Sequence, residues 1–229
     1  MVVQAAAPAA GRVALVAGAT GLVGREVLAA LLADKRYRQV HCVGRRAPLL
    51  EHSKLQAHVV DLGSDAALAA LGSPTHVDDV FIALGTTIAV AGSQPAFRAL
   101  DHDAVVAVAR MGKARGASRL ALVSAMGADA RSPVFYNRVK GETEDDLAQL
   151  GYTLLVIARP SLIEGDRASL NQAGRAGEGL ALKAMRLLKP LTPRNYQSIR
   201  ADQIAHALIA GVTAGTAGKT LLLSGQMQS

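Results

Sequence analysis

The sequence predicts a doubly wound α/β sandwich, a parallel sheet with helices on both faces. Three observations carry this. Short, nearly continuous apolar runs alternate with longer segments of helical periodicity. The first run ends in a glycine-rich turn that opens a helix. Half of the 229 residues are hydrophobic, enough to fill the core of one large domain. Strands apolar throughout bury both faces, and helices between them imply parallel, right-handed crossovers.

The elements follow in order. "VALVAG" (Val13–Gly18) reads as the first strand and "REVLAALLAD" (Arg25–Asp34) as the first helix. "QVHCVG" is a second strand, ending in "GRR", and a further short strand precedes "VVDLG". "DDVFIALG" (Asp78–Gly85) is a strand, followed by one long helix over Ala96–Gly116 that a glycine closes. "RLALVS" is a strand ending at Ser124; a helix spans about Tyr136–Leu150, and "YTLLVIARP" is the next strand. After Pro160 the chain turns polar and glycine-rich, then forms a short basic helix over Leu180–Leu191. That region, within about residues 161–200, reads as a small C-terminal substrate cap. "IRADQIAHALIAGV" is a last helix and "KTLLLSG" a late strand. Residues 1–11 read as a mobile tail, and 12–229 as a single domain.

Composition narrows the function classes. Charged residues are 19% of the chain, which argues against disorder. No apolar run is long enough to span a bilayer, and the opening residues lack a secretory pattern, so a cytoplasmic protein without a membrane partner is expected. Cys42 is the only cysteine, so an internal disulfide and a cysteine metal site are both excluded; it reads as a packed strand thiol. The net charge of +7 fits nucleic acid, an anionic substrate or a phosphorylated cofactor. With 3% aromatics, no tryptophan and no dense Lys/Arg run, nucleic acid is set aside. The six histidines do not cluster, so no metal is expected. "LVSAMG" lacks the nucleophile elbow of a serine hydrolase. Composition leaves monomer and homodimer both open.

The turn "GATGLVG" holds Gly18, Ala19, Thr20, Gly21, Leu22, Val23 and Gly24 between strand and helix. This is the context of a Rossmann-like dinucleotide loop. The first glycine makes the turn, the second admits the pyrophosphate at the helix N-terminus, and the third lets helix and strand pack closely. An acidic residue at the end of the second strand would take the ribose hydroxyls of NAD. Arg45 and Arg46 stand there instead. Guanidinium binds a 2′-phosphate that a carboxylate would repel, so NADP(H) is expected in preference to NAD(H). Asp61 and Leu62 are placed to meet the adenine edge, and Leu84, Gly85 and Thr86 to pass along the cofactor.

The order of glycine turn, "GRR", "VVDL", "ALGTT", a strand ending in Ser124, Tyr136-x-x-x-Lys140 and "ARPSLI" resembles the short-chain dehydrogenase/reductase superfamily. Within it the chain is similar to the atypical, extended-like branch that includes the Tat-interacting-protein oxidoreductase relatives. The echoes "LGTT", "FRALDHD", "YNRVKGE" and "RPSLIEGDR" lie within a resemblance covering about Arg12–Val212. The resemblance implies a catalytic Ser124, Tyr136 and Lys140, with Lys140 also on the cofactor ribose. It further implies that Pro160, Ser161 and Leu162 lie near the nicotinamide. The chain departs from many relatives in carrying Asp101 where they carry the asparagine that supports a water relay.

Spacing of four on a helix puts Tyr136 and Lys140 on one face, where an ammonium favours the phenolate. Glu142, Glu144, Asp145 and Asp146 are expected to form the solvated side of that helix. The leading expectation is an NADP-dependent oxidoreductase that moves hydride between nicotinamide and a carbonyl or alcohol of a small molecule. The alternatives are a non-catalytic NADPH-binding regulator and, third, a sugar-nucleotide epimerase or dehydratase.

Overall fold

The computed structural model describes residues 11–164 and 193–228. In chain order the strands are β1 (Arg12–Ala17), β2 (Tyr37–Gly44), β3 (Leu55–Val59), β4 (Asp79–Ile82), β5 (Arg119–Val123), β6 (Leu154–Arg159), β7 (Ile163–Glu164), β8 (Ile199–Arg200) and β9 (Gly218–Leu223). Seven of them form one sheet in the order β3-β2-β1-β4-β5-β6-β9, every neighbouring pair parallel. β7 and β8 pair separately. The chain reverses its direction of travel between β1 and β4, so the carboxyl ends of those two strands flank the crevice where open α/β sheets take ligands. This is the expected Rossmann-like architecture.

Each face of the sheet is covered. Helix α1 (Leu22–Ala33) turns Val27, Leu28, Leu31 and Leu32 inward at helical spacing. It packs beside α7 (Ala201–Ala214), whose Ile204, Leu208 and Val212 join the same core. The opposite face carries α5 (Ala104–Ala114) and α6 (Phe135–Gln149), with Val105, Val108 and Leu147 in a second core. Strands β1, β4 and β6 lie between the two cores and are buried nearly end to end, which explains their unbroken apolar runs. Cys42, in the middle of β2, is buried as expected, and burial pushes its thiol up to about 12.

The long helix expected over Ala96–Gly116 is interrupted. It consists of α4 (Gln94–Arg98), a π turn over Ala99–Asp103, and α5. The wide turn sets Asp101 and His102 inward, where the carboxylate of Asp101 is fully buried. Short helices α2 (Asp65–Ala69) and α3 (Ile88–Ala91) follow β3 and β4, and α8 (Ser224–Met227) follows β9. The segment expected to be a tail lies, through residue 10, outside the described residues. So does most of the expected cap: the helix over Leu180–Leu191 and its basic set Arg167, Arg175, Lys183, Arg186 and Lys189.

Two histidines 17 residues apart meet across neighbouring strands. The rings of His41 on β2 and His58 on β3 stack, with Nδ1 of His41 2.9 Å from Nε2 of His58. Burial, then the His58 ring and the Arg115 guanidinium, pull His41 down to about 4. The folded chain therefore keeps this ring neutral while an unfolded one protonates it near pH 6.5. The unfolded state binds the extra proton, so this part of the stability is present above pH 6.5 and lost as the pH falls toward 4. His41→Gln is expected to remove about 2 kcal/mol of the difference in unfolding free energy between pH 7 and pH 4.5. Urea unfolding of both proteins at the two pH values measures it; identical differences would refute the assignment.

Candidate active site

The glycine turn forms a cradle that only glycine fits. Gly18 has φ +88°, and a Cβ there would stand 2.5 Å from the Ala83 carbonyl oxygen at the end of β4. A Cβ on Gly24 would stand 1.9 Å from the Gly18 carbonyl oxygen, so helix and turn are in backbone contact. Gly21 is the N-cap of α1, and no side chain caps that helix. Its first amides are thus left for an anion. A cavity of about 130 Å³ runs from this turn along the sheet edge, lined by Gly18–Gly21, Arg45, Arg46, Leu62, Leu84 and Gly85. A second, of about 580 Å³, opens beside it and shares Ala19, Thr20 and Arg46. The uncapped amides, the close backbone approach and the flanking guanidiniums fit the diphosphate of a dinucleotide.

Ser124 lies immediately beyond β5, buried, and its hydroxyl donates to Oε1 of Glu144 at 2.5 Å. Glu144 lies on α6, buried, and also accepts from Arg159 at the end of β6: Nε to Oε1 at 2.9 Å and Nη2 to Oε2 at 2.6 Å. Hydrogen bonding to this carboxylate, against the opposing effect of burial, holds the Arg159 guanidinium above its usual range. One chain of contacts therefore joins β5, α6 and β6. The expectation that all four carboxylates after Lys140 face solvent fails at Glu144. Tyr136, Lys140 and Glu144 follow one another at intervals of four, which puts them on one helix face. That interval was the available signal. Of the others, Glu142 pairs with Arg98, Asp146 accepts from His102, and Asp145 is exposed.

Lys140 is buried, and its Nζ lies 2.7 Å from Oδ1 of Asp101. Burial alone would pull the ammonium down. The Asp101 carboxylate, together with smaller contributions from Tyr136 and Glu144, outweighs it, and the net direction is upward. The other oxygen of Asp101 accepts the Thr86 backbone N–H at 2.9 Å, and Thr143 donates to the Asp101 carbonyl at 3.1 Å. The acidic residue at the asparagine position thus ties the loop after β4 to α6. Tyr136 stands one turn before Lys140, half-buried, with its ring against Phe97 at a centroid distance of 5.3 Å.

The remaining expected residues divide. Leu62, Leu84 and Gly85 line the cavity, whereas the Asp61 carboxylate points into its own turn and accepts the Gly63 N–H at 3.0 Å. Leu22 and Val23 make the first turn of α1 with their side chains in the core. Pro160 is buried; its carbonyl accepts the Met126 N–H at 2.9 Å. The Ser161 hydroxyl donates to the Gln197 carbonyl, its N–H donates to Ser224, and the Leu162 carbonyl accepts from Ile199. Ser161 and Leu162 fasten the exit of β6 to the C-terminal segments, and Pro160 fastens it to the loop after β5. Arg25, which sequence reasoning passed over, lines the larger cavity together with Arg46. Among the described residues no group of three or more His, Cys, Asp or Glu could hold a metal ion, and no helix is long and apolar enough to cross a membrane.

A family model described as NAD(P)H-binding matches residues 18–179. Protein fmp52, mitochondrial, from Emericella nidulans is 38% identical over 154 residues, which is 66% of either chain. Its Aspergillus fumigatus namesake is 34% identical over 208 residues, 86% of either chain. A short chain dehydrogenase family protein from Francisella tularensis shares the fold: TM-score 0.70 at 15% identity, covering 96% of this chain and 100% of that one. These findings correct the expected cytoplasmic location, since the curated relatives are named mitochondrial. The expectation rested on a missing secretory pattern, and mitochondrial addresses have a different composition.

Proposed function

Because this chain belongs to the NAD(P)H-binding family, we propose that it is an NADP-dependent oxidoreductase acting between a carbonyl and an alcohol of a small molecule. One observation carries the reading. Gly85, which lines the cavity, lies against the Lys140–Asp101 pair, one helical turn from Tyr136. The end of the cofactor cavity and the candidate proton donor therefore share one edge of the sheet.

The bound nicotinamide supplies or takes the hydride. Tyr136 gives its phenolic proton to the substrate oxygen during reduction and takes it back during oxidation. Lys140 would hold the ribose hydroxyls of a bound dinucleotide. Ser124 has its own proton committed to Glu144, so toward the cleft its oxygen accepts. Its part is to receive a hydrogen from a substrate or Tyr136 hydroxyl and so fix the orientation of that group. The relatives' names support a mitochondrial setting for this chemistry.

Purified protein is expected to oxidise NADPH with at least one member of a panel of aldehydes, ketones and quinones. Tight NADPH binding with no turnover on any of them would favour the second reading, a non-catalytic regulator. The observation behind that reading is that Ser124 and Lys140 are both satisfied by protein groups.

The choice of NADP over NAD rests on Arg45 and Arg46, with Arg25 beside them. One charge-assisted hydrogen bond to a 2′-phosphate contributes about 1.5 kcal/mol, roughly tenfold in affinity. Arg45→Ala is expected to weaken NADPH about tenfold and leave NADH unchanged, as measured by equilibrium titration. Equal losses for both cofactors would remove the arginine argument.

A further inference from the structure

Lys140 and Asp101 are sealed from solvent, with side-chain exposures of 6% and 0%. Gly85 fixes where they stand relative to the cavity. A Cβ on that glycine would lie 3.5 Å from Oδ1 of Asp101 and 3.7 Å from Nζ of Lys140. Leu100, the residue before Asp101, lines the same cavity. The nearby Glu144 is neutralised by Arg159. The charge at this end of the cavity is therefore the sum of one ammonium and one carboxylate.

The oxidised nicotinamide ring carries a positive charge and the reduced ring does not. In phosphates, riboses and adenine the two forms are the same ligand. We propose that Asp101 sets which redox form of the dinucleotide this chain binds, by cancelling the Lys140 charge that would otherwise repel the oxidised ring. The inference rests on the cofactor reading above and adds a role for a residue outside the Ser–Tyr–Lys set. Asp101 acts through Lys140 and is a positioning and charge-setting residue rather than a catalytic one. One uncompensated charge acting over roughly 6–10 Å at an effective dielectric of about 20 changes an affinity by about 10- to 100-fold. The buried site keeps salt from screening it.

The test needs no substrate. NADP⁺ and NADPH are each titrated into the full chain by calorimetry at pH 7, and the ratio of their dissociation constants is compared between variants. Contacts to phosphate and ribose cancel in that ratio. Asp101→Asn is expected to raise Kd(NADP⁺)/Kd(NADPH) at least tenfold, and Lys140→Met to lower it. The double variant, which strands no charge and so guards against misfolding, is expected to return within about threefold of wild type. Single-variant ratios within about threefold of wild type, or moving in the same direction, would overturn the proposal. So would a double variant displaced by more than about fivefold. Wild-type protein that binds neither form overturns the cofactor reading itself and this inference with it, an outcome distinct from binding with an unmoved ratio.

Discussion

Tyr136→Phe is expected to lower turnover by roughly 10²–10⁴ while leaving the NADPH dissociation constant within about twofold of wild type. The phenol ring is half-buried against Phe97, and phenylalanine keeps that packing. Only the hydroxyl leaves, so stability is expected to change by less than about 1 kcal/mol. The comparison separates three roles. A proton donor loses turnover alone; a structural residue loses stability and binding together; a solvent-facing residue loses nothing. Steady-state rates, a binding titration and a thermal melt on one preparation decide between them. Unchanged turnover in the variant would end the catalytic assignment.

Glu144→Ala is expected to destabilise the fold by about 3–5 kcal/mol. The carboxylate is 1% exposed and serves two donors, so its removal leaves the Arg159 guanidinium and the Ser124 hydroxyl facing each other without an acceptor. An ion buried without its partner costs far more than the pair contributes in place. Ser124→Ala removes a single neutral donor and is expected to cost only about 1 kcal/mol. Urea unfolding of the two variants gives the contrast directly. A loss below about 1 kcal/mol in Glu144→Ala would mean that water reaches the site and relieves the stranded charge.

Much of the architecture was legible because it follows from local rules. The apolar runs at Val13–Ala17 and Leu154–Ala158 are central strands, since only a strand covered on both faces is apolar throughout. The glycine triplet lies in the turn its spacing implied, with backbone contacts that exclude a Cβ at Gly18 and Gly24. What escaped is non-local. The pairing of Glu144 with Arg159 needs the sheet order that sets β6 beside β5. His58 finds His41 on the neighbouring strand rather than His52 in its own segment, because parallel register and not sequence distance makes the contact. Asp101 departs from the family pattern in the sequence itself, yet its burial depends on a π turn that leaves no distinct periodicity in "FRALDHDAV". The placement of Asp61 shows the reverse error. A polar residue past a strand end suits a ligand, and it suits a tight turn equally well.

Cys42 gives the chain a built-in clock. It is the sole thiol, flanked in the sheet by Val16 on one side and Ala57 on the other, and it also borders the cavity at the glycine turn. With burial holding the thiol protonated at neutral pH, an alkylating reagent has to wait for the strands to part. The rate at which iodoacetamide marks this single position therefore counts openings of the sheet next to the glycine turn. The slowing of that rate as dinucleotide is added reads the occupancy of the cavity without any knowledge of the substrate.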